Sequence, residues 1–219
     1  MVRRLRGCAW VLAVWLSATG AFGTCNFFKP AVPELPNRAP IIGDYSTPTA
    51  TLQTLARGLV DKNGSNGQEV YMGALAESTQ DLRAFHAFFD LRDLNQRPTW
   101  DRNRDWNRDL ESVLYSDLVR KYSHPYEMTW GPYEPGGDER SEGDGSRDST
   151  LHRRYTVVQV IGTGSTATRS PLAVGAADLY FVKSAALNRW VIVRWQDYRA
   201  IDAGADTVTL GRRRLETQP

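Results

Sequence analysis

Apolar positions recur at helical spacing in two stretches of the chain and alternate with polar ones in its second half. Leu52, Leu55, Ala56, Leu59 and Val60 fall on one helical face behind Thr47 and Pro48, a capping residue followed by a first-turn proline, and NGSNG at 63–67 stops the run. A second helix is predicted over 67–78 and a third over 105–122. The third has Leu110, Val113, Leu114, Leu118 and Tyr122 on its apolar face and Asp105 as its cap. The short aromatic segment 84–90 between them is expected to be a strand. From residue 125 onward the period falls to two. PYEMTWG (125–131) alternates Tyr126, Met128 and Trp130 with Glu127 and Thr129. The stretches 152–162, 173–183 and 189–199 are rich in β-branched and aromatic residues, and short links between them predict an antiparallel meander. Helices first and a sheet last predict an α+β domain, with N-terminal helices packed on a curved, mostly antiparallel sheet.

The remaining segments are appendages. Residues 131–150 hold five glycines and six acids, a composition expected to form a flexible loop. Prolines 30, 33, 36 and 40 make 25–45 a stiff, extended tether, at about 3.1 Å per residue where it is polyproline-like. Residues 201–219 are expected as a C-terminal tail, with GRRRLE (211–216) as a solvated end.

At the other end, Arg3, Arg4 and Arg6 precede the apolar run 7–23 and a small-residue exit, the arrangement of an export signal over 1–24. The sixteen residues from Cys8 to Gly23, weakened by Ser17, Thr19 and Gly20, are short for a membrane span. Loss of this segment leaves 24 basic against 25 acidic residues, a net charge of −1, so the pI of about 8.6 is no argument for nucleic-acid binding. It also removes Cys8 and leaves Cys25 without an intrachain disulfide partner. The stretch AFGTC (21–25) resembles the processing site of bacterial lipoproteins, with Phe22 where Leu is usual and Thr24 in place of a smaller residue. The resemblance implies a lipid on Cys25 and attachment to the cell envelope, and Asn26 after the cysteine points to the outer membrane. Cleavage after Ala21-Phe22-Gly23 is the alternative, which leaves Cys25 as a free thiol at position two.

The order of helices, short strand, helix and meander, closing on ADLYFVK and WVIVRWQDYR, resembles the NTF2-like (SnoaL, cystatin-like cone) superfamily over about residues 46–200, and small NTF2-like lipoproteins in particular. The resemblance implies a cone-shaped domain with a cavity between sheet and helices. Such cavities serve catalysis, binding or assembly, so a small apolar ligand, an envelope protein or a second copy of the chain are the partners implied.

Motifs of chemistry are sparse. GTGSTA (162–167) fits a loose dinucleotide fingerprint but is followed by TRSP and not by a helical pattern, so a hairpin turn is expected. The calcium-loop echo at Asp138–Gly143 has Arg140 at a ligand position. His86, His124 and His152 are too scattered for a zinc set, and the chain lacks G-x-S-x-G and P-loop patterns. No metal or cofactor is expected, and the reading leans away from an enzyme. Tyr126, Trp130, Tyr155, Trp190 and Trp195 either line an apolar pocket or fill the core. Asp178, with Tyr180 on the same strand face, would be an isomerase-type base if it lay inside the cone and a solubilising charge if outside.

Overall fold

Thr47 caps the first helix as its sequence requires. The Thr47 hydroxyl accepts from the Ala50 amide at 3.1 Å, and α1 runs Pro48–Val60 with Leu52, Leu55, Ala56 and Leu59 buried. The computed structural model describes residues 40–60, 66–81, 83–121, 126–133, 147–162, 166–200, 204 and 207–217. Helix α2 (Gly67–Gly73) ends five residues before the expected 78, because the chain turns there into a strand-like contact. Ala74 accepts from the Ile192 amide at 2.8 Å, and the Ala76 amide donates to Ile192 at 2.9 Å, a bridge that a continuing helix would forbid. Helix α3 (Ser78–Asp81), strand β1 (His86–Phe88), helix α4 (Leu91–Asn95) and strand β2 (Trp106–Asn107) follow.

Helix α5 spans Arg108–Lys121, and Asn107, not Asp105, caps it, accepting from the Leu110 amide at 3.1 Å. The start is displaced because Trp106 pairs with Ala87 in the sheet, while Asp105 binds His86 at 2.6 Å. The remaining strands are β3 (Tyr126–Pro132), β4 (Asp148–Ile161), β5 (Thr168–Ser184) and β6 (Arg189–Tyr198). They form a six-stranded sheet of order β2-β1-β6-β5-β4-β3, antiparallel except where β1 runs parallel to β6. The α+β architecture expected of the chain, helices on a curved and mostly antiparallel sheet, is the one observed. β-bulges at Val157/Val158 and Tyr180/Phe181 interrupt the register of the long strands, and Pro171 sits at the first, where a missing ladder donor is tolerated.

Three further boundaries differ from the sequence reading. The stretch expected as a loop (131–150) contributes its ends to strands, Gly131 and Pro132 to β3 and Asp148–Thr150 to β4, while 134–146 lies outside the described residues. Ile41 exchanges two hydrogen bonds with the Asn66 side chain, and Tyr45 accepts from the Trp190 amide. The last residues of the expected tether are therefore docked on the domain. The expected tail carries a helix, α6 (Leu210–Thr217), in which Leu210, Arg214 and Leu215 are buried. The solvated reading of its arginines is thus corrected at Arg214, because the helix turns that side chain inward.

Candidate functional site

Two places between helices and sheet have the makings of a site, an open groove and a buried polar cluster. The first is a groove of about 950 Å³ between α1, the preceding segment 41–44 and the edge strand β3. Leu52, Ala56 and Val60 project from α1 one turn apart, and the two-residue period of β3 brings Met128 and Trp130 to the facing wall. Arg57, Arg153 and Asp44 supply the charge. Asp44 is held below the usual carboxylate range by hydrogen bonds from Ser46, with Arg57 a smaller influence. Trp130 separates the groove from the core, its ring centroid 5.9 Å from that of Tyr155 and 5.6 Å from that of Trp195. Its indole N–H is shielded from water and has no acceptor among the described residues.

The second place is the interior, where a polar cluster is buried among the core side chains. Arg214 reaches in from α6 and makes two 2.8 Å hydrogen bonds to Glu111 of α5, both side chains being fully buried. Glu111 also accepts from Tyr71 and from the Trp106 indole, each at 2.7 Å. The Arg214 guanidinium lies 4.4 Å from the centre of the Trp195 ring. Burial raises the Glu111 carboxyl, but Arg214 and the three donors outweigh it, so the net shift is downward. Tyr71 is raised by burial and then by Glu111. Beside this cluster Asp197 accepts from Tyr155 at 2.7 Å and from the Gly211 amide, and Tyr155 accepts from the Leu210 amide at 2.8 Å. Burial is the main cause that pushes Asp197 up to about 6, against the pull of Arg214. These contacts hold α6 against α5 and β6, while Arg214 Nη1 is buried with no partner among the described residues. Sequence reasoning missed Glu111, Asp197 and Arg214. Thr209, which caps α6 by accepting from the Arg212 amide at 2.9 Å, was the available signal for a helix.

Asp178 and Tyr180 share a strand face, as their spacing requires. That face is opposite the one bearing Leu179 and Phe181, which are wholly buried. The Asp178 carboxylate binds His152 Nδ1 at 2.5 Å and accepts from the Tyr198 hydroxyl at 2.7 Å. Burial, then Asp178, raises the Tyr198 hydroxyl. Tyr180 donates to Asp148 at 3.0 Å instead, so the structure does not join it to Asp178. Of the aromatic candidates, Tyr126, Tyr155, Trp190 and Trp195 are buried in the core and Trp130 lines the groove. Cys25 and His124 lie outside the described residues.

No family model matches the chain, and no curated protein does. Several solved structures resemble it. An NTF2-like protein with a cystatin-like fold from Novosphingobium aromaticivorans is 14% identical, with 72% of this chain and 81% of that one covered and a TM-score of 0.45. A cystatin-like protein of unknown function from Nostoc punctiforme is 9% identical over 68% and 85%, TM-score 0.43. An NTF-2 like protein of unknown function from Shewanella oneidensis is 12% identical over 69% and 98%, TM-score 0.37. The groove and the buried cluster stand on this chain's own residues.

Proposed function

We propose that this is an exported, lipid-anchored protein whose folded domain binds a small apolar ligand, without catalysis, in the groove between α1 and β3. The observation that carries this reading is the groove itself, in which Leu52, Ala56, Val60 and Met128 form an apolar floor. The interior is in keeping with that reading, since Glu111 is engaged by Arg214, Tyr71 and Trp106, and Asp197 by Tyr155 and the Gly211 amide. A catalytic role for Asp178 would require a ligand cavity beside it. Its carboxylate is taken up by His152 and Tyr198 on the sheet face away from the groove. The anchor rests on the sequence around Cys25, and the Pro-rich stretch after it suits a domain held off a bilayer at an outer membrane.

The neutral fluorophore N-phenylnaphthylamine tests the groove. Its emission is expected to rise on binding, and Gln53→Trp, an exposed position on the groove wall, is expected to weaken that binding at least about fivefold while leaving the fold intact. Binding unchanged by Gln53→Trp, or none at all, removes the reading.

A further inference from the structure

We infer that the ligand of the groove is a neutral molecule whose inner end carries a hydrogen-bond acceptor with no donor of its own, a carbonyl or ether oxygen, received behind Trp130 by Trp195 Nε1 and Arg214 Nη1. This deepens the groove reading above and rests on it.

The ground is a set of buried donors that share one neighbourhood. Trp130 Nε1, Trp195 Nε1 and Arg214 Nη1 are each shielded from water and have no acceptor among the described residues. Trp195 joins them, its ring centroid 5.6 Å from that of Trp130 and 4.4 Å from Arg214 Cζ. Indole and guanidinium N–H groups can only donate, so no rearrangement among the three supplies the missing acceptor. The acceptors nearby have partners already. Glu111 receives Arg214, Tyr71 and Trp106, and Asp197 receives Tyr155 and the Gly211 amide. The orphaned Asp81 Oδ1 is a different case, since it lies beside Arg189 with its own unpartnered Nε and a small shift joins acceptor to donor. Buried polar groups in folded proteins nearly always have a partner, so donors gathered without acceptors ask for their complement from outside the chain.

Trp130 marks the way in. Its indole walls the groove on one side and touches Trp195 on the other, and with its N–H unpartnered the ring is held by packing. A ligand lying on Leu52, Ala56 and Met128 reaches Trp195 and Arg214 once this side chain turns. Charge and donor count then fix the class. Two hydrogen bonds to Glu111 already match the charge of Arg214, and Asp197 stands close by, so an anion would meet like charge without an unmatched cation. A hydroxyl or a primary amide would carry a further donor into a place short of acceptors. A carbonyl or ether oxygen accepts without that cost, whereas a plain hydrocarbon leaves the donors as they are.

Butyrophenone and its hydrocarbon counterpart butylbenzene, titrated calorimetrically into the full chain and into Trp195→Phe, separate acceptor from apolar body. Trp195→Phe keeps an aromatic ring in the core and removes the N–H. It is expected to weaken the ketone about tenfold and the hydrocarbon less than about twofold. The infrared carbonyl band of the bound ketone gives a second reading on the native chain, where no substitution can disturb the fold. Hydrogen bonding to the oxygen lowers that band, so it is expected below its position in hexane, and closer to that position in Trp195→Phe. A bound ketone whose band stays at the hexane position overturns the acceptor assignment, as does a natively folded Trp195→Phe that weakens ketone and hydrocarbon alike or neither. The groove survives such a result if Gln53→Trp still weakens both probes. Failure of both probes to bind, or binding that ignores Gln53→Trp, overturns the groove along with it.

Discussion

Three consecutive arginines, Arg212, Arg213 and Arg214, meet two different fates. On a helix successive side chains are about 100° apart. Arg212 and Arg213 therefore stay at the surface and pair with Glu216, while Arg214 points into the core onto Glu111. Nothing local distinguishes the third arginine from the first two, which is why a run of charge suggests a solvated end. Once the pair is buried its halves cannot be separated cheaply: removing one partner leaves an uncompensated charge, at a cost of about 3–5 kcal/mol. Arg214→Ala is accordingly expected to lower unfolding stability by that amount in urea titrations. Arg214→Met combined with Glu111→Gln, which removes both charges at similar volume, is expected to recover most of it. A double variant as unstable as the single one would contradict this account.

At the scale of elements, α6 is held by Asp197 of β6, which receives the Gly211 amide and the Tyr155 hydroxyl. Gly211 is needed there, since a Cβ would stand 2.7 Å from the Asp197 carboxylate. The carboxyl titrates near 6 in the folded protein and near 3.8 when exposed, so the folded chain binds more protons between those values and stability declines as pH rises through them. This contribution is full below about pH 4 and lost above about pH 6, amounting to roughly 3 kcal/mol. Asp197→Asn does not titrate. The stability of the native chain relative to Asp197→Asn is therefore expected to fall by about 2–3 kcal/mol between pH 4 and pH 7, read from urea midpoints at each pH. Parallel profiles would show that Asp197 does not carry the proton. Most elements were legible: α1, α5 and the strands from β3 to β6 repeat their apolar residues at the right period. Where boundaries moved, a partner distant in sequence moved them, as when Ile192 ended α2 and Ala87 drew Trp106 out of α5.

For the whole molecule, the proposed anchor makes its own prediction. With a native Cys25 the protein is expected to take up labelled fatty acid and sediment with membranes, and Cys25→Ala is expected to lose both. Equal label in the two would end the lipid reading. Helical and strand periodicity, a cap such as Thr47 and the turn-rich breaks are written in residues close along the chain, and they determined the α+β order without help. Contacts between segments distant in sequence decided the rest: that Trp195 and Tyr155 fill the core while Trp130 walls a groove, that Asp178 lies on the outer face, and that Arg214 is buried in the interior. Period alone leaves open which side of a strand or helix meets the core, because strand register and helix docking select that side, and both are properties of the packed chain.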